Sequence, residues 1–375
     1  MTNSERELIY LVGPAGIPNY GDELIAATWL RHLARTAPGA DVFLDCMDPG
    51  AAARRMEDLH PRVHFHRALW ELCVRHWSAD PALTAAAVAD AVRAPGTCPD
   101  LAAPLGHLRR ARVVHLLGGG FINSLWAPFA GLLAGITAAT RLTGARAAMT
   151  GQGLWPVAGS PELIRSLAGR FDVVDVRDAA SARLLDAGDG VHSCDDVFLD
   201  VEGGLHDHRG VPDVMLSLQS LLSDTRSEDL VAHFARVARA WGARGEQIGL
   251  LECAPGQDEQ ILALAREALP GARVYTMGDV LASGLPVAPG QAWLTTRFHP
   301  HLVAAAGGAS GVAVSVRADY YGTKHRSLTA VGSPWRVLDA DVTDVPERPA
   351  AGGYTPEALR CMREAKRAVA HRVYG

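Results

Sequence analysis

The sequence lacks paired cysteines. Its cysteines stand singly, with no C-x-x-C motif among them, at Cys46, Cys73, Cys98, Cys194, Cys253 and Cys361. This spacing excludes a zinc ribbon and a thioredoxin-like redox site, and it favours a reducing compartment. No uninterrupted apolar stretch reaches the roughly 18 residues of a membrane-spanning helix. The first residues are polar and of mixed charge, unlike a signal peptide, so we expect a cytoplasmic protein without an integral membrane segment.

An excess of charge of one sign is also missing. Lysine and arginine total 36 against 41 aspartates and glutamates, a formal net charge of -5, which leaves no overall basic footprint for nucleic acid. Three His-x-His pairs begin at His64, His206 and His299. Two histidines are too few for a closed metal site, and no cysteine or carboxylate stands at ligand spacing beside His299. We therefore expect neither a nucleic-acid partner nor a metal.

Short apolar runs alternate with helix-period segments along most of the chain, a pattern that predicts parallel α/β units. The predicted strands are Leu8–Val12, Asp41–Leu44, Val63–His66, Val113–Leu117, Arg146–Thr150, Asp172–Val176, Asp213–Leu218, Gln247–Glu252, Arg273–Thr276, Ala292–Thr295 and Gly311–Val316. The predicted helices are Leu24–Ala34, Ala127–Leu142, Ala179–Leu185, Asp229–Trp241, Pro300–Ala306, Lys324–Ala330 and Pro356–Val369. A Gly- and His-rich stretch at 202–210 interrupts the alternation and predicts a domain boundary. We therefore predict Rossmann-like domains over 1–203 and 204–350, followed by a helix over 351–375 that packs back on the first domain.

The first predicted strand leads into Asn19-Tyr20-Gly21-Asp22-Glu23 at the start of a helix. Prolines at 14 and 18 do not fit the G-x-G-x-x-G spacing of a dinucleotide fold, so NAD is a poor match. Asp22 and Glu23 fall in the first helical turn, where capping and the helix dipole alone explain carboxylates. Because they would repel an anion, the functional alternative is that one of them holds or deprotonates a sugar hydroxyl.

A glycine triplet, Gly118-Gly119-Gly120, follows another predicted strand. It is either a tight turn or a ligand site, since ligands bind at the carboxyl ends of strands in open α/β sheets. As a site, its bare amides would receive an anion or a sugar oxygen. Asn123 and Gln152 are the neutral hydrogen-bonding side chains expected nearby.

Two arginines also follow predicted strands. Arg177 offers a planar fork for a carboxylate or a phosphate, or else forms a surface pair with Asp178. Arg297 lies on a loop before Pro300, which is a normal first helical residue. His299 on that loop is either a structural histidine or a group that exchanges protons near neutral pH.

Taken together and in this order, these segments resemble the motifs of the polysaccharide pyruvyl transferase family. Those enzymes move the enolpyruvyl unit of phosphoenolpyruvate onto sugar hydroxyls as a cyclic ketal. The matched pieces run from about Asn19 to Lys324. The resemblance implies an α/β glycosyltransferase-B-like fold, with two doubly wound Rossmann-like domains facing a cleft and a crossing C-terminal helix. It places the acceptor on the N-terminal domain and the donor on the C-terminal domain.

The resemblance also implies roles for single residues. The expected catalytic residues are His299, Asp22 and Glu23. The expected donor-binding residues are Arg177, Arg297 and Lys324. The expected acceptor or backbone contacts are Asn19, Gly118, Gly119, Gly120, Asn123 and Gln152. Phosphoenolpyruvate would be a co-substrate, with a sugar-containing acceptor and no cofactor, and the oligomeric state stays open.

The chain departs from the family pattern at two positions. Asp196 stands where the family often has proline, and Gln219 stands where a basic residue is common. The missing charge at Gln219 leaves the identity of the donor open. Two other functions therefore remain: a glycosyltransferase of the same architecture that uses a nucleotide sugar, and a non-catalytic sugar-binding member.

Overall fold

The computed structural model describes residues 6–186, 191–201, 204–339, 345–350 and 352–375. The chain forms two compact units. Unit 1 comprises Met1–Ile17, Asp22–Leu199 and Glu364–Gly375, and unit 2 comprises Pro18–Gly21 and Asp200–Arg363. The domain limits predicted at residues 203 and 351 lie outside the described residues and stay predictions.

Unit 1 is built on a six-stranded sheet. Its strands are β1 (Leu8–Val12), β2 (Asp41–Asp45), β3 (Val63–His66), β4 (Val113–Leu116), β5 (Arg146–Gln152) and β6 (Val173–Val176). They are parallel and lie in the order β3-β2-β1-β4-β5-β6, the order of a doubly wound sheet. Ligands of such sheets bind beyond the carboxyl ends of the strands.

Helices connect these strands. They are α1 (Tyr20–Thr36), α2 (Pro49–Met56), α3 (Leu69–Arg75), α4 (Pro81–Arg93), α5 (Ala102–Leu108), α6 (Ala130–Thr143), α7 (Pro161–Ala168) and α8 (Ala179–Leu184). The single helix predicted over Ala127–Leu142 is divided, because a 3-10 turn at Ser124–Phe129 holds Pro128, which has no N–H to donate. The stretch 124–143 is long and apolar enough to cross a membrane, but 72% of it is buried inside the protein, as in a core helix.

Unit 2 repeats the plan of unit 1. Its strands are β7 (His206–Asp207), β8 (Val214–Ser217), β9 (Ile248–Leu251), β10 (Arg273–Tyr275), β11 (Leu285–Pro286), β12 (Ala292–Thr295), β13 (Ser310–Ser315) and β14 (Arg336–Asp339). Six of them form a parallel sheet in the order β10-β9-β8-β12-β13-β14. The remaining two, β7 and β11, pair separately, so the Gly- and His-rich stretch predicted as a domain boundary contains a short strand.

Further helices follow in the described part of unit 2 and at the end of the chain. They are α9 (Ser227–Ala240), α10 (Glu259–Ala268), α11 (Met277–Ser283), α12 (Phe298–Ala306), α13 (Thr323–Ala330) and α14 (Pro356–Tyr374). From Glu364 onward α14 belongs to unit 1, where Val369 and Val373 pack against Val113, Ala148 and Val173 of the sheet.

Candidate functional site

Arg297 lies at the carboxyl end of β12, where it is the residue before α12. Its Nη2 donates to Asp258, and its side chain is 12% exposed. The other carboxylate oxygen of Asp258 accepts from the amides of Cys253 (3.1 Å) and Ala254 (2.8 Å). Burial acts to lower the pKa of Arg297, but Asp258 more than offsets it, so the pKa lies above its ordinary value. Arg297 is therefore a fixed, charged group.

Two buried polar atoms lie at neighbouring strand ends of this sheet. Arg297 Nε and Gln219 Oε1 have no hydrogen-bond partner in the part of the chain that the structure describes. Gln219 follows β8, the neighbour of β12, and its Nε2 donates to the carbonyl of Leu221 at 3.1 Å. Leaving a buried donor or acceptor unpaired costs about 1–3 kcal/mol. A donor and an acceptor left in this way suit a bound ligand.

His299 lies in the first turn of α12 and is half-buried. Its ring packs directly on the backbone of Gly21, since a Cβ added to Gly21 would lie 1.8 Å from His299 Nδ1. The Tyr20 amide donates to the Cys253 carbonyl at 2.8 Å, and the Gly21 amide donates to Asn19 Oδ1 at 3.0 Å. The start of the first motif is therefore part of unit 2, beside the second motif. Asn19, rather than an acidic residue, caps α1.

Gly21→Ala is expected to destabilise the protein by roughly 1–3 kcal/mol, the usual cost of overpacking, because the His299 ring must move. The matched control is Gly106→Ala in α5, where an added Cβ meets nothing within 4 Å. That change should be neutral or stabilise by up to about 1 kcal/mol. Urea unfolding measures both, and side-chain NMR of His299 reports the ring shift. Equal stability of the two variants with an unchanged His299 signal would contradict this packing.

Lys324 is the second residue of α13. Its ammonium group lies 3.6 Å from the ring centroid of Tyr320 and 5.2 Å from that of Tyr321, within the range of a cation–π contact. Tyr321 also lies close enough to Arg297 to affect its pKa. Unit 2 thus brings Arg297, His299 and Lys324 together in one region.

Asp22 and Glu23 lie in the first turn of α1, as the sequence predicts. A Cβ added to Gly119 would lie 3.8 Å from Asp22 Oδ1, so the half-buried Asp22 borders the glycine triplet. Glu23 is 1% exposed and its Oε1 accepts from Gly16 N at 3.1 Å and Arg55 Nη1 at 2.9 Å. Burial raises the pKa of Glu23 to about 7, opposed by the charge of Arg55 and the Gly16 hydrogen bond.

The glycine triplet differs from the expectation of bare amides. Gly118 N donates to Asp196 Oδ2 at 2.9 Å, and Gly119 N faces the Gly151 carbonyl at 3.4 Å. Both amides are thus used within unit 1, because the loops after β4 and β5 run side by side and their backbone groups must be satisfied.

Asn123 and Gln152 hold this loop in place. Asn123 Nδ2 donates to the Gly120 carbonyl at 2.8 Å, and its Oδ1 accepts from Leu125 N at 2.9 Å. Gln152 Nε2 donates to the Leu117 carbonyl, while its Oε1 has no partner among the described residues. Gln152 Oε1 is therefore the atom of this pair best suited to a ligand.

Arg177 is neither the surface pair nor the open fork that the sequence left as alternatives. Its side chain is 2% exposed, and Nη1 forms a 2.9 Å ion pair with Asp195. Asp178 instead caps α8 and accepts from Ser181 N at 2.8 Å. Arg177 lies in unit 1, whereas Arg297 and Lys324 lie in unit 2. Its predicted contact with the donor stays a prediction.

A buried lysine in unit 1 was missed by sequence reasoning. Lys366 on α14 is 0% exposed and lies 2.5 Å from Asp175 Oδ2 and 2.8 Å from Asp196 Oδ1. Asp196 Oδ2 also accepts from Trp29 Nε1 at 2.7 Å and Thr150 Oγ1 at 2.6 Å. The carboxylate of Asp196, which stands where the family often has proline, is thus paired with the charge of Lys366.

A signal for Lys366 is present in the sequence. In α14 it stands four residues after Met362 and three before Val369, on the apolar face of the helix. A lysine at such a position is rarely buried unless it is paired.

The described residues contain no group of three or more His, Cys, Asp or Glu side chains that could hold a metal.

The model of the polysaccharide pyruvyl transferase family matches residues 19–317, which is most of the chain. This chain belongs to the polysaccharide pyruvyl transferase family. Asn19 to Arg297 and His299 lie inside the matched region, whereas Lys324 and Lys366 lie beyond it. No curated protein is significantly similar to the chain in sequence.

Solved structures resemble this chain in fold. UDP-GlcNAc 2-epimerase from Neisseria meningitidis, bound to UDP-GlcNAc, has a TM-score of 0.54 at 8% identity, covering 98% of this chain and 99% of the epimerase. Anabaena Alr3699/HepE in complex with UDP-glucose has a TM-score of 0.51 at 11% identity, covering 98% and 95%. These proteins have the glycosyltransferase-B fold, which confirms the predicted fold class.

Proposed function

We propose that this protein transfers the enolpyruvyl unit of phosphoenolpyruvate to two hydroxyls of a glycan or other polyhydroxy acceptor, forming a ketal and releasing phosphate. The observation that carries the proposal is Arg297. This partly buried arginine keeps a buried Nε–H without a partner in the described part of the chain, two residues before His299. The buried free thiols Cys46, Cys73, Cys194 and Cys253 favour a cytoplasmic location.

The donor chemistry fits this arrangement. Phosphoenolpyruvate carries a carboxylate and a phosphate, which arginine and lysine bind well. Arg297 and Lys324 supply two positive charges, and the N-terminus of α12 adds the positive end of a helix dipole. Gln219 adds no charge where a basic residue is common, so donor affinity depends on these two cations. The Arg297 Nε–H then donates to an oxygen of phosphoenolpyruvate.

His299 is the proposed acid. It delivers a proton to the vinyl CH2 carbon, which becomes the methyl group, while the first acceptor hydroxyl adds its oxygen to the neighbouring carbon. The proton of that hydroxyl replaces the one that His299 gave. The second hydroxyl then displaces phosphate from the same carbon, while Glu23 accepts its proton and passes it on to the departing phosphate. Two C–O bonds form, one C–O bond to phosphate breaks, and no redox partner is needed.

Asp22 and Glu23 are proposed to serve the acceptor. Asp22 is half-buried beside Gly119, where it can hold a hydroxyl. Glu23 has a pKa near 7, and a carboxyl group that titrates near the working pH is an effective proton acceptor. The negative charge of Asp22 favours a hydroxyl over a phosphate at this position.

Phosphoenolpyruvate is expected to raise the melting temperature, whereas UDP-glucose and UDP-GlcNAc are not. At a concentration of 100 Kd the stabilisation is about 2.7 kcal/mol. Arg297→Lys should weaken this shift although it keeps the charge, because lysine cannot reproduce the planar fork. Arg209→Lys is the control in unit 2, since the Arg209 side chain is 85% exposed and pairs with Asp207.

The thermal experiment, together with an assay of phosphate release, separates the alternative functions. Stabilisation by a nucleotide sugar alone would favour a glycosyltransferase. Binding of phosphoenolpyruvate without phosphate release, with acceptor glycans present, would favour a non-catalytic member. An Arg297→Lys variant with unchanged affinity would place Arg297 outside the donor site.

A further inference from the structure

His301, His325 and Ser333 form a row of buried polar side chains that leads to the peptide unit before Arg297. The proposed chemistry uses none of them. His301 on α12 and His325 on α13 are both 0% exposed. Their Nδ1 atoms lie 3.1 Å apart. His301 Nε2 lies 2.7 Å from Ser333 Oγ, and His325 Nε2 lies 3.3 Å from the carbonyl oxygen of Thr296. The row therefore ends on the peptide unit that precedes Arg297.

One pattern of protons satisfies every contact when both rings are neutral. The Thr296 carbonyl only accepts, so His325 carries its proton on Nε2 and accepts at Nδ1. His301 must then donate from Nδ1 and accept at Nε2, where the Ser333 hydroxyl donates. Burial holds the pKa of His325 at about 4 and that of His301 well below its ordinary value, so both rings are neutral at pH 7.

The Thr296–Arg297 peptide unit is held on both sides. Its carbonyl oxygen accepts from His325, and its N–H donates to Thr295 Oγ1 at 2.9 Å. The His301 ring is fixed in turn, because it stacks on Trp335 at 4.5 Å between centroids with 7° between the planes. Backbone orientation at Arg297 therefore follows from the orientation of two histidine rings.

We propose that His325 is a positioning residue for Arg297, with its ring held between the Thr296 carbonyl and His301. The effect on phosphoenolpyruvate rests on the proposed function; the proton pattern does not. His325 also follows Lys324 directly, so one turn of α13 both positions Arg297 and supplies the second cation. The row connects the residue before Arg297 to the helix that carries His299.

The proton pattern is tested first on the full-length protein at pH 7 by nitrogen-15 NMR of the histidine rings. We expect the Nε2–H tautomer for His325 and the Nδ1–H tautomer for His301. A His325 ring protonated on Nδ1, alone or together with Nε2, would overturn the proposal. This result does not depend on which donor the protein uses.

Two variants then separate positioning from stability. His325→Gln keeps a donor for the Thr296 carbonyl, while His325→Phe keeps bulk and loses it. Ser333→Ala removes a hydrogen bond at the other end of the row and leaves Thr296 held. We expect His325→Phe to shift the Arg297 Nε–H resonance and to weaken phosphoenolpyruvate binding by at least about tenfold, the scale expected of a misplaced binding group.

The Ser333→Ala variant should be less stable, but its Arg297 Nε–H resonance and its phosphoenolpyruvate affinity should stay nearly unchanged. The His325→Gln variant should recover part of the affinity that His325→Phe loses. Equal effects of His325→Phe and Ser333→Ala on the Arg297 resonance would overturn the positioning role. If His325→Phe does not fold, His325→Gln is compared with Ser333→Ala instead. The proposal expects the Arg297 resonance to shift in His325→Gln only. A shift in both variants, or in neither, counts against the proposal. A wild-type protein that does not bind phosphoenolpyruvate would instead contradict the proposed function, with the NMR readouts still interpretable.

Discussion

His299→Gln is expected to lower turnover by roughly 10²–10⁴-fold, the usual contribution of a general acid–base group, while donor binding and folding stay largely intact. Glutamine keeps part of the hydrogen-bonding shape of histidine but cannot exchange a proton near neutral pH. It also fits beside Gly21, because its chain is flexible where the ring is rigid. Phosphate release per folded molecule, measured with saturating phosphoenolpyruvate and acceptor, gives the effect.

The control for this variant has to be chosen from the structure. His301 looks suitable in the sequence, two residues away on the same helix, but it is buried against His325, Ser333 and Trp335. Its replacement would destabilise unit 2, so it is a poor control. His64→Gln is better, since the His64 side chain is 48% exposed. If His299→Gln turned over as fast as His64→Gln per folded molecule, His299 would be a packing residue and the mechanism would be wrong.

The sequence predicts most strands of the two six-stranded sheets well. The bounds of β1, β3 and β12 agree with the predicted bounds, and most other strands differ by one or two residues. The missed strand β14 lies at a sheet edge and is only partly buried, so its apolar pattern is weak. The missed pair β7 and β11 is two residues long in each strand, too short to show a period.

The candidate site is predicted less completely, because its contacts join distant parts of the chain. Motif order alone places Arg297 and His299 at a strand end, as the structure does. Motif order does not predict that the ring of His299 lies on Gly21, nor that the Thr296 carbonyl is held by His325. Motif order likewise does not predict that Arg177 is buried and paired with Asp195.

Asp196 also changes meaning between sequence and structure. As a departure from the family pattern it suggests an altered donor site. In unit 1 its carboxylate binds Gly118 N, Trp29 Nε1 and Lys366, so it orders the glycine loop. The departure therefore concerns how the loop is supported, and Lys366 is the residue that permits a carboxylate there.

Lys366→Met is expected to destabilise the protein by roughly 3–5 kcal/mol, because breaking a buried ion pair leaves an uncompensated charge. Here two carboxylates, Asp175 and Asp196, would lose their common partner. Methionine has a similar length and no charge, so the loss reflects electrostatics more than a cavity. The matched control is Arg367→Met, the next residue on α14, which is exposed. Urea unfolding at pH 7 should show the large loss for Lys366→Met only.

The pH dependence of this stability loss shows whether the charge of Lys366 causes it. Burial acts to raise the pKa of Asp196, but Lys366 and hydrogen bonds more than offset it, and the pKa lies below its ordinary value. A carboxyl group with a lowered pKa stabilises the wild type above its unfolded pKa, and that stability is lost as the pH falls. In Lys366→Met the Asp196 carboxyl group can take up a proton instead, so the difference between the two proteins should shrink as the pH falls from 7 towards about 4. A difference that stays constant over this range would show that Lys366 stabilises unit 1 through packing rather than through its charge.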